Sequence, residues 1–207
     1  MVKDGRPIAI CNWNERGDRI VTELHAAEAE PGTEIVIVTD KPVDESELRK
    51  KKEYENVYFI RSDPQLHDVL RRAQITQANS VIILADGRTP AADARSALIA
   101  LAIPTLWEEE EAERKKKAKR QREDVSGAQG SKQDAAPCPH IIVEAVNQRK
   151  SQHLKDAGAD EVICAADYGL GILAQCAIEA KLSFVYQRLL TYSGDTNEIY
   201  TVPRRGE

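Results

Sequence analysis

Ile8-Ala9-Ile10-Cys11-Asn12-Trp13-Asn14-Glu15-Arg16-Gly17 is the stretch on which the reading of this chain turns. Its apolar run is too short for a buried helix and stops at a polar loop. After Gly17, residues Ile20, Val21, Leu24 and Ala27 share one helical face. A strand followed directly by an amphipathic helix is the opening half of a βαβ unit.

The same alternation continues outward. Strands are expected at 34–40, 56–61, 80–85, 140–146 and 161–164, the second reached through a Pro31-Gly32 turn. Ser80-Val81-Ile82-Ile83-Leu84-Ala85 is the plainest of them, an unbroken apolar run of the kind needed by a sheet covered on both faces. Helices are expected at 66–73, 91–103 and 148–157, the last closed by Gly158, with a charged segment at 44–55. The pattern predicts an α/β fold: a doubly wound, Rossmann-like parallel sheet of about six strands filling residues 1–166.

Charge and length narrow the function. The formal net charge of −5 argues against nucleic acid as a partner, since phosphate binding needs a basic face. No apolar stretch approaches the roughly 18 residues that span a bilayer, and the first residues do not read as a signal peptide. Cys11, Cys138, Cys164 and Cys176 lack CxxC spacing, which implies a reduced, cytoplasmic compartment. Cys138 near His140 is the one pair near metal-ligand spacing, and Pro139 between them more simply marks the start of a strand.

Composition changes sharply at 107–137. A glutamate block at 108–113 runs into a basic block at 114–122 and then into Ser126-Gly127-Ala128-Gln129-Gly130-Ser131. Glu110 with Arg114, Glu111 with Lys115 and Glu113 with Lys117 stand in the favourable i, i+4 order, so the first half extends the preceding helix into solvent. The second half has the composition of a disordered segment. Contact of the basic block with anionic lipid or a partner is the alternative to a solvated insertion. After the sixth strand, Gly169 and Gly171 precede an apolar helix carrying Leu170, Leu173 and Ile178, and a second apolar helix is expected at 184–192. These helices either pack against another chain or lie back on their own sheet.

The loop after the first strand is where a dinucleotide-binding domain carries G-x-G-x-x-G. Here Asn12, Trp13 and Asn14 replace the leading glycines and only Gly17 remains. Asparagine accepts the turn, but Asn14 and Trp13 crowd the place of the phosphates. Asp40 ends the second strand, where an acidic residue accepts ribose hydroxyls. Asp63, Asp86 and Glu144 end or nearly end the third, fourth and fifth strands, so a parallel sheet gathers four carboxylates at its carboxyl edge. Such a rim repels bare phosphate and favours a cation or sugar hydroxyls. Asp40, Asp63 and Asp86 also fit ordinary turn formers beside Lys41, Pro64 and Gly87. No nucleophile elbow, Walker loop or HExxH helix is present, so the chain does not read as an enzyme.

These residues resemble the regulator of potassium conductance domain, also called the Trk-type nucleotide-binding domain. The likeness rests on residues 8–15 with their tryptophan, on Ser62-Asp63-Pro64, on Val81 to Ala85, on Ile141-Ile142-Val143-Glu144-Ala145, and on Ala157-Gly158-Ala159-Asp160-Glu161-Val162-Ile163. The resemblance implies a cytoplasmic lobe of a membrane-associated protein, partnered with the membrane domain of a potassium channel or transporter. It implies homodimers through crossover helices at 167–194, a possible higher ring assembly, and a further subdomain opening at 195–207. Calcium-gated members use an aspartate after the third strand and a Glu-x-Glu on the fifth. Asp63 and Glu144 match, while Val146 stands at the third position. An adenine nucleotide (NAD, ATP or ADP) bound at Asn12, Trp13, Asn14, Gly17, Asp40, Asp63 and Asp86, or a divalent cation such as calcium at Asp63 and Glu144, is the expected ligand. The competing reading is an NAD(P)-dependent oxidoreductase.

Overall fold

Six strands form one parallel sheet in the computed structural model, which describes residues 6–26, 33–87, 89, 91–124 and 136–191. They are β1 (Ile8–Cys11), β2 (Ile35–Thr39), β3 (Val57–Arg61), β4 (Ser80–Ile83), β5 (His140–Glu144) and β6 (Glu161–Ile163), in the order β3-β2-β1-β4-β5-β6. Every pairing is parallel. The order reverses between β2-β1 and β1-β4, and the crevice beyond the strand ends at this reversal is where such sheets take ligands. The expected strands are all present, each ending within a few residues of its predicted limit.

Alternate residues of β1 point to opposite faces, as the pleat requires. Ala9 and Cys11 join Val81, Ile83, Ile141 and Val143 in a core closed by Ile99, Ile103, Leu106 and Leu154. Those closing residues belong to α4 (Ala92–Asp124) and α5 (Ser151–Asp156). Beside them Val69 and Ala73, from α3 (His67–Arg72) and its C-cap, cover Val38. Ile10 faces the other way and packs with Ile35, Ile37, Val57, Leu84 and Tyr54, under Val21 of α1 (Gly17–Ala26). The charged segment 44–55 forms the short α2 (Glu45–Leu48), capped by the Asp44 carboxylate, and one 3-10 turn. Cys11 is fully buried and its thiol is pushed up to about 12 by desolvation, so it acts as a small hydrophobe.

Three elements refine or depart from expectation. The extension of α4 into the charged block is present, and the helix is continuous through Pro104 for 33 residues, about 50 Å at 1.5 Å per residue. Proline removes the N–H that would serve the Ala100 carbonyl. Gly158, at φ +104, comes up to that carbonyl: a Cβ there would lie 3.2 Å from Ala100 O and from Pro104 Cγ. The Ala-Gly-Ala turn therefore fits the proline site of α4. The glutamate block is also less solvated than expected. Thr76 Oγ1 donates to Glu110 Oε2 at 2.6 Å, Arg71 pairs with Glu109 at 3.2 Å, and Glu111 is buried. The i, i+4 pairs Glu110–Arg114 and Glu111–Lys115 are present.

The third departure concerns α6 (Ala165–Ile178) and α7 (Leu182–Leu190). Gly169 and Gly171 lie inside α6 rather than before it, and a Cβ at either would meet open space. The two helices lie against each other, and a Tyr186–Gln175 hydrogen bond joins them. Neither contains a buried residue, so the alternative in which both lie back on their own sheet is not what the structure shows. Leu173, Ile178 and Phe184 are 68%, 85% and 59% exposed. The Pro31-Gly32 turn, the 126–131 segment and the subdomain expected from 195 onward lie outside the described residues.

Candidate functional site at the carboxyl edge of the sheet

The first loop is built around two asparagines. Asn12 takes a left-handed φ of 67°, which Asn adopts more readily than most residues. Its buried side chain donates from Nδ2 to Leu84 O at 2.9 Å, tying β1 to β4. Asn14 Nδ2 donates to Ala85 O at 2.8 Å and to Glu144 Oε2 at 3.1 Å, while Asn14 Oδ1 accepts from Arg16 N at 2.9 Å. The side chains at these positions thus hold together loop backbone that glycines would leave bare.

Trp13 turns inward. Its ring meets Phe59 edge-on at 6.1 Å, and Phe59 stacks on Tyr54 at 6.3 Å. A Cβ on Gly17 would lie 2.6 to 2.8 Å from three carbons of the Trp13 ring. Gly17 is thus required by the tryptophan, independently of any phosphate.

The four carboxylates do converge on this edge, but they are not a bare acidic rim. Arg95, in the first turns of α4, donates from Nε to Asn12 Oδ1 at 3.2 Å and pairs through Nη2 with Asp40 at 2.8 Å and Asp63 at 3.0 Å. Lys41 meets Asp86 at 2.6 Å. Arg16 meets Glu144 at 2.8 Å, and Glu144 also accepts from Ala85 N at 3.0 Å. Three cations therefore stand among four carboxylates, and the expectation that the rim repels phosphate is corrected: each acid has a basic partner. The local charge is close to balanced, and an entering ligand must exchange an existing ion pair rather than meet an open field.

The cationic members were not singled out from the sequence. Arg16, Lys41 and Arg95 sit in unrelated segments of ordinary solvated composition, and only the parallel topology brings them together. Asp63 and Glu144 are held by different partners, Arg95 and Arg16. Among the described residues, no group of three or more His, Cys, Asp or Glu is placed to hold a metal ion. Cys138 and His140 form no such group either: His140 meets Glu161 at 3.0 Å and Asp160 at 3.4 Å.

Residues 8–156 match the family described as the calcium-activated potassium channel slowpoke-like RCK domain. The chain belongs to this family. RCK domains of potassium channels are thus its kin, as the residues of the first loop, the β3 end and the turn at Gly158 imply. Among curated proteins it is similar to "Putative potassium channel protein YugO" of Bacillus subtilis (strain 168), 27% identical over 161 residues. The alignment covers 78% of this chain and 38% of YugO. It also matches the calcium-gated potassium channel TvoK of Thermoplasma volcanium, 32% identical over 77 residues, covering 37% of this chain and 20% of TvoK. The chain thus spans well under half the length of either relative.

Two solved structures share the fold of this RCK domain. The human SLO3 gating ring is 17% identical with a TM-score of 0.56, covering 95% of this chain and 31% of that one. The TrkA-N domain of the inner membrane protein ybaL from Escherichia coli is 14% identical with a TM-score of 0.53, covering 84% and 98%. Among the described residues, no helix is long and apolar enough to cross a membrane.

Proposed function

We propose that this RCK domain is the cytoplasmic ligand-sensing lobe of a potassium channel or transporter, a regulatory module rather than an enzyme. The observation that carries the reading is the lattice Asp40–Arg95–Asp63, with Asn12 on the same arginine. One side chain of α4 ties together the ends of β1, β2 and β3. A ligand that takes any of these groups must change what holds α4 to the edge, so occupancy and the arrangement of the lobe are coupled. The lobes pair through α6 and α7 as homodimers, assemble further into a ring, and act on a membrane domain. The ligand shifts their arrangement by its difference in affinity for the two states.

An adenine nucleotide is the ligand that the geometry favours. Ribose hydroxyls would take Asp40, and the freed Arg95, with Lys41 and Arg16 nearby, would face phosphate instead of losing a partner. Calcium is the second reading, supported by the resemblance to calcium-gated TvoK. It must pull Asp63 from Arg95 and Glu144 from Arg16 before it can bind both.

Thermal unfolding with calcium, magnesium, NAD, NADH, ATP and ADP tests the proposal. A true ligand at a hundred times its Kd contributes about 2.7 kcal/mol, which at this size raises Tm by about 5–10 °C. Asp40→Ala is expected to abolish the gain from a nucleotide. Failure of every one of these ligands to raise Tm would remove the sensing role, and turnover of NADH with a substrate would favour an oxidoreductase.

A further inference from the structure

The far end of α4 has no role in the site above. Among the described side chains, the last buried position along this helix is Glu111. Residues 115–118 are all exposed, while the helical backbone continues to Asp124. Lys117 still shares a groove with Arg71 and Gln77, and the seven residues 118–124 carry the helical backbone about 10 Å further.

The charge along this extension is ordered. Three of the five glutamates before it are engaged in ion pairs or hydrogen bonds: Glu109 and Glu110 by Arg71, Glu110 also by Thr76 and Arg114, and Glu111 by Lys115. Seven of the nine residues 114–122 are Lys or Arg, and none is acidic. With Glu123 and Asp124 included, 114–124 carries a formal +5, so the chain's net −5 leaves −10 on the remainder.

We propose that this projecting helix docks the domain on an anionic membrane surface through electrostatic attraction, without insertion. The basic positions run around the helix axis, and alanine is the sole apolar type among residues 112–124, so no apolar face exists to enter the acyl region. A cluster of four to eight Lys/Arg on a helix is attracted to acidic headgroups by about 1 kcal/mol per residue. The length of the projection matters as well. About 10 Å is more than one Debye length at physiological salt, so the acidic body is largely screened from the surface its own helix touches. A membrane fits better than nucleic acid because residues 114–124 include no aromatic side chain on which bases could stack and the chain as a whole is acidic. The choice of a membrane also rests on the channel-lobe reading, which keeps the domain beside a bilayer.

The test is co-sedimentation of the 207-residue chain with vesicles of phosphatidylcholine alone and of phosphatidylcholine mixed with phosphatidylserine. Binding to the mixed vesicles only is expected, weakening as potassium chloride is raised. Replacing Lys116, Lys117 and Lys119 by Gln should lower partitioning by about a hundredfold. Lys116 and Lys117 are exposed, so this triple variant should keep the parent Tm, and any ligand-induced rise in Tm should also persist, which separates the docking claim from the sensing claim. Equal binding to neutral vesicles, no binding to either, or undiminished binding by the triple variant would overturn the proposal. Binding to duplex DNA as tight as to the mixed vesicles would also overturn it, assigning the helix to nucleic acid.

Discussion

Arg95 carries more of the edge than any residue the sequence made conspicuous. It holds Asn12, Asp40 and Asp63 while one quarter exposed. Arg95→Met should lower stability by about 1–3 kcal/mol, between the loss of an exposed pair and of a buried one. The sign of its effect on ligands separates the two readings of the crevice: calcium should bind more tightly to the variant and an adenine nucleotide less tightly, as titration calorimetry would show. Gly17 gives a second expectation. Gly17→Ala improves helix propensity by up to about 1 kcal/mol, but its methyl would overlap the Trp13 ring, and overpacking costs about 1–3 kcal/mol. Net destabilisation in urea is expected, and it should shrink in a Trp13→Leu background. At Asp18, the hydrogen bond from Lys51, outweighing desolvation and helped by Tyr54, holds the carboxyl below the usual range. That contribution is present above the ordinary aspartate pKa and is lost as pH falls through the lowered one, so Asp18→Asn should flatten the acid limb of stability. At this scale the acids of the site were legible, because strand ends in a parallel sheet share an edge. The bases were not, because Arg16, Lys41 and Arg95 acquire their meaning only from neighbours distant in sequence.

Strands were the most legible elements, since apolar runs bounded by turn residues leave little choice of period. Helix limits were less so. α4 continues through Pro104 because packing of Ile99, Ile103 and Leu106 holds both sides of the proline in one helix. Gly158 leaves room for the Ala100 carbonyl that the proline leaves without its N–H, and its φ of +104 disfavours any side chain. Gly158→Ala should cost about 1–3 kcal/mol, read from the midpoint of chemical unfolding. Likewise, Gly169 and Gly171 read as a loop before α6 but are absorbed into it. Their neighbours supply enough helix-forming residues, and no neighbouring atoms crowd the glycines.

For the whole molecule, the sheet topology followed from alternation of period, and the family from a few loop residues, while assembly lies in surfaces the single chain leaves uncovered. Leu173, Ile178, Phe184 and Leu190 are exposed on a helix pair that buries nothing of its own. Light scattering should find a dimer, and Leu173→Glu with Phe184→Glu should return it to monomer with the sheet intact. The proposed sensing role rests on one coupling: filling the crevice at Arg95 changes how two lobes sit. Spin labels at Arg72→Cys, an exposed position on α3, would report that distance between copies once Cys138 and Cys176 are replaced by serine. A ligand that raises Tm is expected also to move the inter-label distance distribution, and Asp40→Ala with Asp63→Ala to abolish both effects. A ligand that binds the crevice and stabilises the lobe while the distribution stays where it was would contradict the coupling.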